Sequence, residues 1–165
     1  MLPGWGDIFI RPSGQQHLTR CADTQDMNRQ AAKNVRLQEP DAEVDAWAQI
    51  VVQAAIEVHH PLGPGFLESV YEEALGVELS LREVPFQQQV PIAVEYKSRR
   101  VGQARLDLLV AGRLVVELKA VDSLLPIHVA QVISYLKTTR HSLGLLINVS
   151  VPFLQRGLKR IILTQ

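Results

Sequence analysis

Between Val44 and Val58 the apolar residues Val44, Trp47, Ile50, Val51, Ala54, Ala55 and Val58 return at three- and four-residue steps. That step predicts an amphipathic helix over 44–59. "HHPLGPGF" then interrupts it, because Pro61 and Pro64 do not fit a helix interior and Gly63 and Gly65 permit positive φ. A second helix is expected from about Phe66 to Arg82, with Leu67, Val70, Tyr71, Ala74 and Leu81 facing inward. Three β-rich runs follow, "FQQQVPIAVEY", "RRVGQARLDLLV" and "RLVVELKAV", which read as an antiparallel meander. A helix over about 126–138 comes next, then "LGLLINVS", an apolar run expected of a strand covered on both faces. "LKRIILT" closes the chain as a short strand or a helix turn. The order predicts an α/β fold, a mixed sheet flanked by helices.

Residues 1–43 are rich in Gln, Arg, Asp, Asn and Pro and sustain neither period. They read as a poorly ordered extension before one domain over 44–165, and Met27 inside them is a candidate translation start. At 165 residues, with 47% hydrophobic and 21% charged, the chain has ordinary globular composition and length for one core. Its single cysteine, Cys21, forms no intrachain disulfide and makes a reducing cytoplasm the default setting. No run approaches the roughly 18 apolar residues of a membrane span, so no membrane role is expected.

The formal net charge is zero, but its distribution is lopsided. Val44 to Tyr96 holds eight acidic residues against one basic, a net of −7, whereas Lys97 to Gln165 holds eleven basic against three acidic, a net of +8. A basic half can track a polyanion whatever the total charge. Its plain alternative is a solvated surface whose charges intermix on folding.

Three charges stand inside the apolar stretch "RLDLLVAGRLVVELKA": Asp107, Glu117 and Lys119. Glu117 and Lys119 are two apart on one predicted strand, so they leave the same face. A lone charge buried in a sheet costs several kcal/mol, so such a set persists only when paired, hydrated or bound to a metal. Two carboxylates suit a hard divalent cation, and a neighbouring ammonium can orient a water or offset charge developing on a phosphate. The chemistry this suggests is phosphodiester hydrolysis. No Gly-rich phosphate loop, zinc spacing or Ser-His-Asp order competes with it.

An Asp followed by Glu-x-Lys on consecutive strands resembles the PD-(D/E)XK nuclease superfamily. "GFLESVY", with Gly65, Glu68 and Tyr71, resembles its bacterial GxxExxY branch, and "LDLLV", "VVELKAV" and "HVAQVISYL" follow in the matching order. The likeness spans about 47–162. It implies a restriction-endonuclease-like core and a Mg²⁺ (or Mn²⁺) site with Asp107, Glu117 and Glu68 as metal ligands and Lys119 as the catalytic lysine. It also implies that Gln131 and Tyr135 contact substrate, as in the Gln-x-x-x-Tyr signature of the exonuclease-like members. The Pro of the superfamily name is absent, Leu106 standing before Asp107. Nucleic acid is the implied partner, DNA ahead of RNA, with a homodimer left open. The rival reading keeps the fold without turnover, as a nucleic-acid- or partner-binding module.

Plainer roles exist for each residue. An acid such as Glu68 is favoured at a helix N-terminus, by about 0.3–1 kcal/mol. Glu72 and Glu73 read as solvated, although Glu72 shares Glu68's face. His59 and His60 suit a helix C-terminus as charged caps. Gln131 and Tyr135 equally suit a packed polar edge, and the three charges could form a structural ion pair.

Register decides between them. A two-residue turn Ala111-Gly112 would place Asp107 opposite Val116 and send Asp107 and Glu117 to opposite faces. A three-residue loop Ala111-Gly112-Arg113, or a bulge, sets Asp107 opposite Glu117. The longer loop or a bulge is therefore expected, with the carboxylates about 4–6 Å apart, as a shared cation with oxygen distances of about 2.0–2.6 Å requires.

Overall fold

The computed structural model describes residues 40–164 and the backbone of residues 7–10. Helix α1 (Ala42–Leu62) and helix α2 (Glu68–Leu81) precede strands β2 (Phe86–Tyr96), β3 (Arg99–Val110) and β4 (Leu114–Lys119). Helix α3 (Pro126–Thr139), strand β5 (Leu143–Asn148), a short 3-10 turn (Leu154–Gly157) and strand β6 (Leu158–Leu163) complete the domain. Strand β1 (Asp7–Ile10) pairs parallel with β6, giving a six-stranded mixed sheet in the order β1-β6-β5-β4-β3-β2. The α/β architecture expected from the pattern is the one observed. Among the described residues, no helix is long and apolar enough to cross a membrane.

Three features depart from the sequence reading. α1 starts two residues early because the Asp41 side chain accepts the Glu43 N–H at 2.8 Å, an N-cap. It also runs through Pro61, which sits in the last turn, where the missing N–H forfeits only one bond. The extension was expected to hold no regular element, yet Asp7–Ile10 is an edge strand, since four residues suffice to extend an existing ladder without showing a period of their own. Met27 lies outside the described residues. Of the two outcomes expected for "LKRIILT", the strand is the one observed, antiparallel to β5.

The sheet separates two apolar clusters. On one face α1 and α2 bury Val51, Ala54, Tyr71, Leu75 and Leu79 against Leu108, Val110, Leu114, Val116 and Leu145. On the other, α3 buries Val129, Val132 and Leu136 against Val115, Leu146 and Ile161. β5, covered by both, is buried at every residue, as its unbroken apolar run predicts. The rotation of α2 differs from expectation. Leu67 and Leu81 are exposed at 75%, Val70 is also exposed, and Glu72, Leu75, Gly76 and Leu79 are buried with Tyr71. Both stripes of this helix are apolar, so spacing alone left its orientation open.

Where the chain leaves β5 it passes close to itself. A methyl added at Gly157 would lie 2.3 Å from the Asn148 carbonyl oxygen and 2.9 Å from Val151 Cγ2. Backbone cannot yield as a side-chain tip can, so Gly157→Ala is expected to lower stability by about 3 kcal/mol. Urea denaturation checks this, and a loss under 1 kcal/mol would show that the turn relaxes freely.

Candidate active site

The hairpin between β3 and β4 has the three-residue connection Ala111-Gly112-Arg113. Val110 pairs with Leu114, Leu109 with Val115 and Leu108 with Val116. Ala111 and Gly112 take positive φ, 49° and 65°, and Arg113 N–H returns to the Val110 carbonyl at 3.0 Å. Continuing this register sets Asp107 level with Glu117 on one face. There the ladder ends: Asp107 Oδ2 accepts the Leu118 N–H at 2.8 Å, so a carboxylate takes the place of the next backbone bond.

Glu117 is 2% exposed. Its Oε1 accepts Lys119 Nζ at 2.6 Å, while its Oε2 is buried with no hydrogen-bond partner among the described residues. Burial, reinforced by the Asp107 charge and opposed by Lys119, raises the Glu117 pKa to about 7. Burial also pushes Asp107 above its usual range, against the Leu118 amide and the Lys119 and Arg105 charges. Burial alone would pull the Lys119 ammonium down, but its bond to Glu117, with the charges of Glu117, Glu68 and Asp107, holds it above the ordinary lysine value.

Glu68 reaches this point from another element. It is the first residue of α2, and its Oε2 accepts the Ala120 N–H at 3.3 Å, just past the end of β4. Gly65 and Tyr71 shape the segment around it. Gly63 (φ 63°) and Gly65 (φ 119°) take conformations that L side chains rarely adopt. The Tyr71 hydroxyl, in the first turn of α2, donates to the Gly63 carbonyl. Its ring stacks on His59 at 6.5 Å and meets Phe66 edge-on at 6.4 Å. His59, in the last turn of α1, is buried with Nε2 3.1 Å from the Val149 carbonyl oxygen, so its ring ties the end of α1 to the segment after β5. Tyr71→Phe is therefore expected to lose about 1 kcal/mol of stability, readable by urea denaturation. Unchanged stability would mean that the Gly63 carbonyl needs no tyrosine.

Two contributors escaped the sequence reading. Glu72, expected to be solvated, is 8% exposed and accepts Gln89 Nε2 on both oxygens at 2.6 Å. Burial raises its pKa against that bond, and the Asp107 and Glu73 charges raise it further. Gln89 stands opposite Asp107 in the β2–β3 register, has φ 54°, and falls in a gap between the pairs Gln88–Leu108 and Val90–Leu106. Leu108 and Val110 pack with α1 and α2, whereas Leu106 and Ile92 pack with α3. The ribbon thus turns over at Gln89 and Asp107, and the site sits at that turn. The second contributor is Asn148, 1% exposed. Its Oδ1 accepts the Val121 and Ser150 N–H groups at 3.2 Å each, and its Nδ2 donates to the Val121 carbonyl at 2.7 Å. With Val149 N–H on the Lys119 carbonyl at 2.8 Å, this holds the backbone that presents Ala120 to Glu68. A lone Asn within "LGLLINVS" was the available signal, since a buried amide requires partners.

The structure brings Glu68, Asp107, Glu117 and Lys119 to one end of β4. Gln131 and Tyr135 meet each other on α3, Gln131 Nε2 donating to the Tyr135 hydroxyl at 2.7 Å. No hydrogen bond among the described residues joins them to the acids. Among the described residues, no three His, Cys, Asp or Glu side chains stand close enough to enclose a metal ion.

A sequence model of the PD-(D/E)XK nuclease superfamily matches residues 45–161, most of the chain. No curated protein and no solved structure in the comparison matches it. With Asp107 and Glu-x-Lys at the turn of the ribbon, and a family match from α1 to β6, the chain belongs to the PD-(D/E)XK nuclease superfamily.

Proposed function

We propose that this domain is a divalent-cation-dependent nuclease that hydrolyses phosphodiester bonds of nucleic acid, and that Gly65, Glu68 and Tyr71 mark it as a member of the GxxExxY branch. The observation that carries this reading is the buried Glu117 Oε2, which has no hydrogen-bond partner among the described residues and belongs to a carboxylate on which the charges of Asp107 and Lys119 both act. An unpaired buried carboxylate oxygen is costly, and a hard cation with oxygen ligands is the partner that suits it. Asp107, Glu117 and Glu68 would hold Mg²⁺ or Mn²⁺. Such an ion, when bound, lowers the pKa of water and offsets charge on the phosphate. Asp107 already commits one oxygen to Leu118 N–H and so keeps its orientation. Lys119, whose ammonium its bond to Glu117 keeps charged at neutral pH, would orient a water or meet a non-bridging phosphate oxygen. In-line attack by that water, with loss of its proton, would form the new P–O bond as the P–O bond to the leaving oxygen breaks, and would invert phosphorus.

The test is cleavage of single-stranded, duplex and branched DNA and of RNA, with Mg²⁺ or Mn²⁺ and with EDTA, beside calorimetric metal titration. Metal-dependent cutting lost in Glu117→Ala supports the reading. No cutting of any substrate together with no metal binding overturns it.

The second reading is a binding module without turnover. It is favoured by the absence, among the described residues, of three ligating side chains gathered around one point. It predicts salt-sensitive binding that survives loss of Asp107 and Glu117.

A further inference from the structure

Beyond Gln89 and Asp107 the β2–β3 pair leaves the sheet. Among the described residues β4 pairs with β3 only at Leu108, Leu109 and Val110, and no third strand flanks the outer part of the ribbon. One side of it, Val90, Ile92, Ala104 and Leu106, packs with α3. Past that contact every residue from Ala93 to Gln103 is exposed. Lys97 and Ser98 make the turn, both at positive φ, with Tyr96 paired to Arg99 and Glu95 to Arg100. A two-stranded ribbon exposed on its faces is marginal by itself, so its residues are informative. Lys97, Arg99 and Arg100 cluster at the tip, and Glu95 is the only acid from Ala93 to Gln103. Tyr96 is 64% and Val101 62% exposed, with Lys97 Nζ 5.4 Å from the Tyr96 ring centre.

This cationic arm begins at the acidic site. Arg105 acts on both Asp107 and Glu72 through its charge. Gln103 follows two residues on, and its Oε1 accepts Arg100 Nη2 at 2.7 Å. Eight residues at about 3.3 Å each place Arg99 roughly 25 Å from Asp107, about the rise of seven base pairs.

We propose that the β2–β3 ribbon is a duplex-DNA-binding arm that enters the major groove, with Arg99 and Arg100 on phosphates and Arg105 leading the strand to the acidic site. The charge is complementary to a polyanion, and the shape chooses among polyanions. The major groove of B-form DNA admits a two-stranded ribbon, whereas that of A-form RNA is too deep and narrow. The inference deepens the nuclease reading by naming its substrate class, and its Asp107-proximal part rests on that reading.

The experiment uses the full chain in EDTA, where turnover plays no part, and follows fluorescence anisotropy of a labelled 20-base-pair DNA duplex and the RNA duplex of the same sequence. Arg99→Gln/Arg100→Gln is compared with Arg140→Gln/Arg156→Gln, which removes the same charge elsewhere. DNA should bind at least tenfold tighter than RNA at 0.1 M salt. The ribbon variant should weaken DNA binding at least tenfold and lower the slope of log K against log salt by about 2, while the control changes it less than threefold. Melting curves like the parent's confirm that these exposed substitutions leave the fold alone. Equal binding of both duplexes, or equal loss in the two variants, overturns the arm. Cleavage of DNA with Mg²⁺ that is indifferent to the ribbon variant overturns the arm and leaves the nuclease reading standing. Ribbon-dependent DNA binding with no cleavage in Mg²⁺ or Mn²⁺ does the reverse.

Discussion

Lys119→Met is expected to leave a folded protein whose single-turnover cleavage in Mg²⁺ is slower by about 10²–10³, the usual cost of removing one positioned charged donor from a reacting phosphate or carbonyl. Methionine keeps the apolar stem that carries the ammonium out of β4 and removes only the charge. The ammonium is what links the site's parts, lying 2.6 Å from Glu117 Oε1 and feeling Glu68 and Asp107 as well. Loss of the cation also leaves Glu117 buried without its one partner. The Glu117 pKa should therefore rise above about 7, and the residual activity of the variant should shift to higher pH. A variant within threefold of the parent rate would remove Lys119 from the chemistry and leave it as a structural counter-ion.

The second large effect is on stability in the absence of metal. Glu117 is held near pKa 7 in the folded protein against an ordinary 4.5. Between these values the native state keeps a proton that the unfolded chain has released, so stability falls as pH rises from about 4.5 to 7 and levels off above. A shift of this size corresponds to about 3 kcal/mol across that interval. Asp107 and Glu72, both raised mainly by burial, add slopes of the same sign. Glu117→Gln carries no titrating proton and keeps a similar shape. Its urea midpoint in EDTA should fall less steeply over the same range, keeping only the slopes of Asp107 and Glu72, and it should exceed the parent's above pH 7. Parallel pH profiles for parent and variant would show that Glu117 is ionised throughout and that burial is not its dominant influence.

Most of what locates this site is local and was legible. Glu117 and Lys119 share a face because strands alternate. The length of the Ala111-Gly112-Arg113 connection sets Asp107 level with Glu117, as demanded if the two acids were to act together. Gly65 and Tyr71 were visible in the sequence beside Glu68, yet what they do there was not. A hydroxyl closing on a carbonyl eight residues away, and a histidine buried against Val149, are contacts between elements that the spacing leaves silent. Glu72 was misjudged for a related reason. An acid on a helix face reads as solvated unless one knows what packs there, and the Gln89 amide comes from β2, in a backbone conformation no pattern predicts for glutamine.

The sequence by itself determined the order of elements from α1 to β5 and the shared face of Glu117 and Lys119, because each depends on periodicities of two or about 3.6 within one segment. Only the tertiary structure decided which way α2 is rolled, since both of its stripes are apolar and the winner is the one that meets Leu108 and Val110. It alone decided that the ribbon turns over at Gln89 and Asp107, because that turn comes from packing its outer half on α3 instead of α2. The acids meet at that turn, where one strand's ladder stops and a side chain completes it.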